Sequence, residues 1–376
     1  MQQKIRIQFS PTRLKQMKKI ALSGSKAKLK ILNGKFSEGF QILKSTAQKF
    51  KAFATDLADR IPQALAAKVS LDLFSHFESK SSKRLGIPKG IVLGGVLALM
   101  SSLPAVGQTF TNVADETALI AAINAANADA TQDHTIRLEQ GNPLVPSTFY
   151  TLTANLPTIT NATRSIFIIC TGTGSNTAII DGAGSFRPLT MTTGSDLTLS
   201  KITVQNGTAL KGGGIHNNNG ALTLSNSLIT ANQATGGGGT GKGGGIYSTG
   251  NGGSASVFIQ NSTILSNFAS GSGGGIFNVY NSLVTISNSS LSRNRADRYN
   301  GGGIFNYNSD NLSISSSSLS ENRTKYYGGG IFNRNSNNLS ISSSSLSENR
   351  TKYYGGGVCN SNSHNISISH SSLSGN

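Results

Sequence analysis

Twenty consecutive residues, NLSISSSSLSENRTKYYGGG, stand at Asn311–Gly330 and again, unchanged, at Asn338–Gly357, 27 positions later. A fixed period of this length marks stacked structural units, and it outweighs a Ser-, Asn- and Gly-rich composition that alone would read as disorder. The period runs beyond the duplicated block. Gly triplets fall at 212–214, 243–245, 273–275, 301–303, 328–330 and 355–357, spaced 31, 30, 28, 27 and 27, each followed by Ile or Val. A second mark places an apolar residue three before an Asn: ITAN, ILSN, LSRN, LSEN, LSEN and LSGN, with TVQN as a looser first case. The asparagines are Asn206, Asn232, Asn267, Asn294, Asn322, Asn349 and Asn376. Spacing drifts where Gly-rich insertions such as ATGGGGTGK occur, which assigns those to loops.

Between the two marks the chain alternates with period two. NLSIS puts Leu312 and Ile314 on one face and Ser313 and Ser315 on the other; LTLSNSLIT and LVTISNSSLS behave alike. Period two means strand. About three short strands fit in 27 residues, and one such unit has too few apolar residues for its own core. Stacking solves this, because each strand pairs in parallel with its copy one coil later. Equivalent positions then superpose: Leu312 on Leu339, Ile314 on Ile341, Leu319 on Leu346, Ile331 on Val358. The expected fold is an all-β parallel β-helix of about eight ~27-residue coils. The expected structural ladder comprises Asn232, Asn267, Asn294, Asn322 and Asn349, hydrogen-bonding along the stack, with Gly302, Gly329 and Gly356 leaving room at a tight corner.

Of 33 Lys and Arg and 16 Asp and Glu, residues 1–90 hold 19 and 5, so the basic balance belongs to the front quarter. Residues 1–89 form a basic extension whose stretch Phe40–Phe77 has helical spacing. Such a helix suits an anionic membrane or nucleic acid; an over-long leader, or a start assigned too far upstream, is the plainer reading. Residues 90–107, GIVLGGVLALMSSLPAVG, follow Arg84 and Lys89 and end in small residues, the order of a secretory signal. Uncleaved, they would contact a membrane. Residues 108–142 form a cap whose DETALIAAINAANAD (Asp115–Asp129) is a helix able to cover the open end of the stack, and 143–376 form the β-helix. The chain stops in mid-unit at Asn376, so the β-helix is expected to continue or be covered there. Cys170 and Cys359 are 189 residues, or seven periods, apart; at about 4.8 Å per coil that is roughly 34 Å, too far for a disulfide.

GGGI alternating with LSEN-type marks over about Ile202–Asn376 resembles the polymorphic outer membrane protein repeat, with its Gly-Gly-Ala-aliphatic and Phe-x-x-Asn motifs. Here the third position is Gly, and Leu, Ile or Thr replaces Phe. LIAAINAAN (Leu119–Asn127) resembles a segment found ahead of such repeats, with Ile120 and Ala121 where the family has Arg and Glu. Residues Ile136–Thr160 and AIIDGAGSFR (Ala178–Arg187) resemble the first coils of such proteins. The resemblance implies a right-handed, single-stranded parallel β-helix of pectin-lyase-like architecture, secreted or at the outer membrane surface.

That architecture also carries polysaccharide lyases and hydrolases, which use Ca²⁺-binding acid clusters or paired aspartates. Residues 200–376 hold only Asp297, Asp310, Glu321 and Glu348, none close in sequence to another. Glu321 and Glu348, beside Arg323 and Arg350, read as a compensated surface ladder. Asp181 in IIDGAG reads as a turn residue. The Gly-rich TGGGGTGKGGG lacks the repeated Asp of a Ca²⁺ nonapeptide, and its Gly-Lys opens a strand, not a phosphate-binding helix. The five histidines, His76, His134, His216, His364 and His370, are scattered. No catalytic residue, metal or cofactor is therefore expected. A ligand surface is expected at Arg323, Lys325, Tyr326 and Tyr327 over Arg350, Lys352, Tyr353 and Tyr354, with glycans or other surface macromolecules as partners and no nucleic acid for the repeat region. The expected function is an exported structural or adhesive β-helix, the alternatives being a polysaccharide lyase or hydrolase of the same fold and a membrane-anchored basic protein.

Overall fold

The computed structural model describes residues 108–138, 149–170 and 177–376. The basic segment 1–89 and the apolar segment 90–107 lie outside the described residues. From Gln108 onward the chain winds into an all-parallel, right-handed β-solenoid of about nine turns, one more than the sequence estimate. Each regular coil visits four faces. In one coil these are Leu312–Ser315 on face 1, Ser318–Ser320 on face 2, the two-residue Arg323–Thr324 on face 3 and Ile331–Arg334 on face 4. The sequence reading of three strands per unit missed the short face 3. Stacked, the faces become sheets of ten, nine, six and seven strands. Face 1 begins with Gln108–Val113 and His134–Leu138, so the segment around the helix contributes strands to the stack.

The register follows the repeat. Ile314 pairs with Ile341, Leu319 with Leu346 and Ile331 with Val358. Alternation sends one set of side chains inward: Leu312, Ile314, Leu319 and Ile331 are buried in one continuous core that runs the length of the stack. The strands stop where single residues take left-handed φ. Asn261, Asn288, Ser316, Ser343 and His370, between faces 1 and 2, have φ of 47–49°. Asn and Ser tolerate this region through local hydrogen bonding. The next residue is always Ser, and it makes a ladder the sequence reading did not identify. The Ser317 amide donates to Ser344 Oγ at 3.1 Å, while Ser317 Oγ donates to the Ser315 carbonyl at 2.7 Å. From Ser282 to Asn376 the outward positions of faces 1 and 2 carry no charge; charged residues sit on face 3, on the last position of face 4 and at the corners and loops.

Helix α1 (Glu116–Ala128) closes the N-terminal end of the core. Asp115 caps it, its Oδ1 accepting from the Ala118 amide at 2.8 Å. Leu119, Ala122, Ile123 and Ala126 are buried, and they join the solenoid core. Two asparagines tie the far end of the helix to the next coil: Asn127 Nδ2 donates to the Thr158 carbonyl, and Asn161 Nδ2 donates to the carbonyls of Ala126 and Asp129. Glu116 accepts from the Thr153 amide and hydroxyl. Among the described residues no helix is long and apolar enough to cross a membrane. Truncating the buried helix face should cost far more than losing the cap. Ile123→Ala is expected to lower unfolding free energy by about 2–5 kcal/mol and Asp115→Ala by about 1 kcal/mol, read from denaturant titrations; equal effects would show that the helix does not seal the core.

Candidate functional site

The ladder asparagines turn inward at the end of face 2. Asn232, Asn294, Asn322 and Asn349 are fully buried and Asn267 is 1 % exposed. Each Nδ2 donates twice, once to a carbonyl of the previous coil and once to Oδ1 of the next asparagine. For Asn294 these bonds go to Ile264 and Asn322, both at 3.0 Å. From Asn267 onward each Oδ1 accepts twice from the coil before: Asn294 Oδ1 receives the amide and the Nδ2 of Asn267 at 3.1 and 3.0 Å. The chain of bonds runs from Asn232 to Asn376. The first mark needs correction. Asn206 aligns with Ala231, because Val204 pairs with Ile229, so Gly207 holds the ladder position and its amide donates to Asn232 Oδ1. Asn206 instead binds Asp181.

The glycines fit around this ladder. In the triplet 301–303, Gly301 has φ +67°, a backbone that L residues rarely adopt. A Cβ on Gly302 would lie 2.4 Å from the Gly329 carbonyl, and one on Gly303 would lie 2.6 Å from the Gly330 carbonyl and 3.2 Å from the Asn322 amide carbon. Gly329 and Gly356 are equally hemmed in by backbone of the neighbouring coil or of the chain end. The third glycine, where the resembling repeat has Ala, thus clears first the backbone carbonyl of the next coil and then the ladder amide. A second buried amide ladder, on face 4, escaped the sequence reading. Asn278 Nδ2 donates to Asn306 Oδ1, Asn306 to Asn333 and Asn333 to Asn360, at 2.7–2.9 Å. It breaks at Ser248, which leaves Asn278 Oδ1 without a partner. The signal was visible as the recurring Asn two positions after GGGI.

Outside, the duplicated surface stands in register. Arg323 pairs with Arg350, and Tyr327 with Tyr354. The rings of Tyr326 and Tyr353 stack at 5.2 Å and 5°, those of Tyr327 and Tyr354 at 5.9 Å and 5°. Lys325 Nζ lies 5.6 Å from the Tyr326 ring centre, and Lys352 Nζ lies 5.7 Å from that of Tyr353. Ring faces are therefore spent on neighbouring rings and ammonium groups, and the surface offers chiefly ring edges, hydroxyls and cations. Tyr353 and Tyr354 are 49 % and 69 % exposed.

Most of the repeat's acidic residues have structural partners, though Glu321 pairs with Arg293 rather than with Arg323 and only the backbone amide of Glu348 is bonded, to the Ser374 carbonyl. Glu321 forms a two-point pair with Arg293, one coil before it, and these bonds hold its carboxyl below the usual range. Asp297 pairs with Arg295, and Asp310 accepts from the Asn337 amide. Asp181 takes the Ala183 amide and the side chains of Gln205 and Asn206, fixing a turn. Among the described residues no group of three or more His, Cys, Asp or Glu could hold a metal ion. His364 and His370 are exposed in the last coil, and Cys170 and Cys359 are unbridged. Comparison with protein-family models, curated proteins and solved structures finds no match.

The sequence reading passed over one more feature. Face 4 carries an outward aromatic row, Tyr247, Phe277 and Phe305 stacked at 5.3 and 4.7 Å, then Phe332 tilted by 40° at 5.4 Å. It ends on His216, whose ring meets Tyr247 edge-on at 5.1 Å. Burial, then the charges of Arg187 and Lys211, lower the pKa of His216 to about 4.

Two outcomes follow. Asn294→Ala would strand the Ile264 carbonyl and the Asn267 amide, and deprive Asn267 Nδ2 of one acceptor. It should cost at least about 3 kcal/mol in denaturant unfolding, against within ~0.5 kcal/mol for outward Ser292→Ala. Since folded His216 resists protonation that the unfolded chain accepts, its contribution is intact above about pH 6.5 and is lost as pH falls toward 4. The drop in melting temperature across that window should shrink in His216→Phe; an unchanged profile would contradict the assignment.

Proposed function

We propose that this chain is an exported cell-surface or extracellular β-helix with a structural and adhesive role, of the kind its likeness to the polymorphic outer membrane protein repeat suggests. The observation that carries the reading is the repeated outer row: Arg323 over Arg350, Lys325 and Lys352 on successive tyrosines, Tyr326 over Tyr353. Beneath it, the inner polar groups bind one coil to the next. The result is a rod whose surface repeats one chemical unit. Such a surface favours many weak contacts with an equally repetitive partner, where avidity multiplies modest affinities. Cations and phenol hydroxyls, with ring faces already occupied, suit hydroxyl-rich and anionic surface glycans better than stacking on neutral sugars. Asp181 holds a turn and Glu321 and Asp297 hold arginines, so the enzymatic alternative draws no support from these acids.

Protease treatment of intact source cells, with mass spectrometry of the chain's N-terminus, tests the location. The expected result is surface-accessible repeat peptides and a mature chain starting near Gln108; a protected chain keeping residues 1–107 would overturn it. Binding is tested separately: alanine at Lys325 and Lys352 should lower the salt needed to elute the protein from a sulfated-glycan column, with unchanged melting.

A further inference from the structure

The outer aromatic row of face 4 is closed at one end and open at the other. Toward the C terminus Tyr327 lies against Phe332, with ring centres 6.0 Å apart. At the other end the row stops at His216, and a recess of about 270 Å³ opens over His216 and Tyr247. Its rim carries Lys211, its far wall is Tyr280, and Asn218, Thr249 and Asn251 offer amide and hydroxyl groups. Tyr247 is 6 % exposed and forms the floor, while Tyr280 is 42 % exposed and stands free enough to contact a ligand. The size is just under the range of ordinary small-molecule sites and suits one ring-sized body.

The charge in this region is one-sided. Lys211 and Lys242 stand one coil apart, joined by a parallel bridge. Their ammonium nitrogens lie 5.4 Å from the Tyr247 ring centre and 5.3 Å from that of Phe277. The ion pairs among the described residues are His134–Asp129, Arg293–Glu321 and Arg295–Asp297; none involves either lysine. Arg187, which also acts on His216, donates to the Gly212 carbonyl and the Thr190 hydroxyl. The charges acting on His216 are thus cationic, and its imidazole stays neutral at neutral pH. A neutral imidazole offers one donor and one acceptor, the pair a sugar hydroxyl needs. An uncompensated cation pair beside a half-enclosed polar and aromatic recess is a place for an anion that brings its own ring.

We infer that the recess over His216 and Tyr247 binds a single sugar unit bearing one anionic group, whether carboxylate, sulfate or phosphate. Lys211 on the rim faces the anion, Lys242 adds its charge from one coil away outside the lining, Tyr280 lies along the ring, and His216 with Asn218 and Thr249 takes the hydroxyls. This site is separate from the Arg323–Tyr354 surface and does not depend on its role.

Calorimetric titration of the full chain with glucuronate, glucose 6-sulfate, glucose 6-phosphate and glucose tests it and identifies the anion. At least one anionic sugar should bind at least about tenfold more tightly than glucose, more weakly as salt rises, and about tenfold more weakly to the Lys211→Ala/Lys242→Ala variant. His216→Phe, which extends the aromatic row into the recess, should abolish binding while melting cooperatively. No binding by any of the three anionic sugars, equal binding of glucose, or an unaffected double-lysine variant would overturn the proposal. Inorganic sulfate or phosphate binding as tightly as the matching sugar would remove the sugar from it.

Discussion

An asparagine side chain sealed between two coils has two donors and two acceptor sites, and inside a protein each must find a partner. In this chain all four are met only when the coil below presents a carbonyl and an asparagine, and the coil above presents another asparagine at the same place. Asn294 satisfies the condition through Ile264, Asn267 and Asn322. A slip of one residue would leave buried amides unpaired at every level, a penalty of about 1–3 kcal/mol for each group. The ladder therefore locks the register that apolar side chains alone would leave loose. The glycines follow from the same close stacking, since the third residue of a triplet such as 301–303 must leave space for the next coil's carbonyl as well as for the amide plane.

The same register dictates the outside. Whatever occupies one outward position is placed about 4.8 Å above its copy, so like stacks on like. Tyr326 and Tyr353, or Phe277 and Phe305, use their ring faces on each other. Where the coils are identical the surface is a closed pattern of edges, hydroxyls and cations. Where the spacing lengthens, over the coils that follow the triplets at 212 and 243, the pattern opens. There His216 replaces an aromatic ring, and the lysines lack carboxylate partners. Repetition makes the rod, and departure from repetition makes the recess.

Much of this could be read from letters alone. Period two within strands and period 27 between them determine which side chains point inward and what lies above them, so the pairing of Ile314 with Ile341 needed no coordinates. The Asn mark at LSEN was legible because an apolar residue announces it at fixed distance. Asn206 was misplaced by one residue because a single left-handed residue at the corner is invisible to pattern matching. The second amide ladder hid within IFN, where Asn278, Asn306 and Asn333 share the inward face with Ile276, Ile304 and Ile331 but break its apolar pattern. The recess takes Asn251 from the Gly250–Ser254 loop, the extra length of a 30-residue coil, which no periodic template encodes.

Distances between spin labels on face 1 test the stacked register most directly. Thr198, Thr223, Phe258, Thr285, Ser313, Ser340 and Ser367 occupy successive outward positions in paired strands. Labels at Thr198 with Ser313, Ser340 or Ser367 should give narrow distances rising by about 4.8 Å per coil, near 19, 24 and 29 Å. Broad distributions, or distances that fail to grow with coil number, would contradict the account.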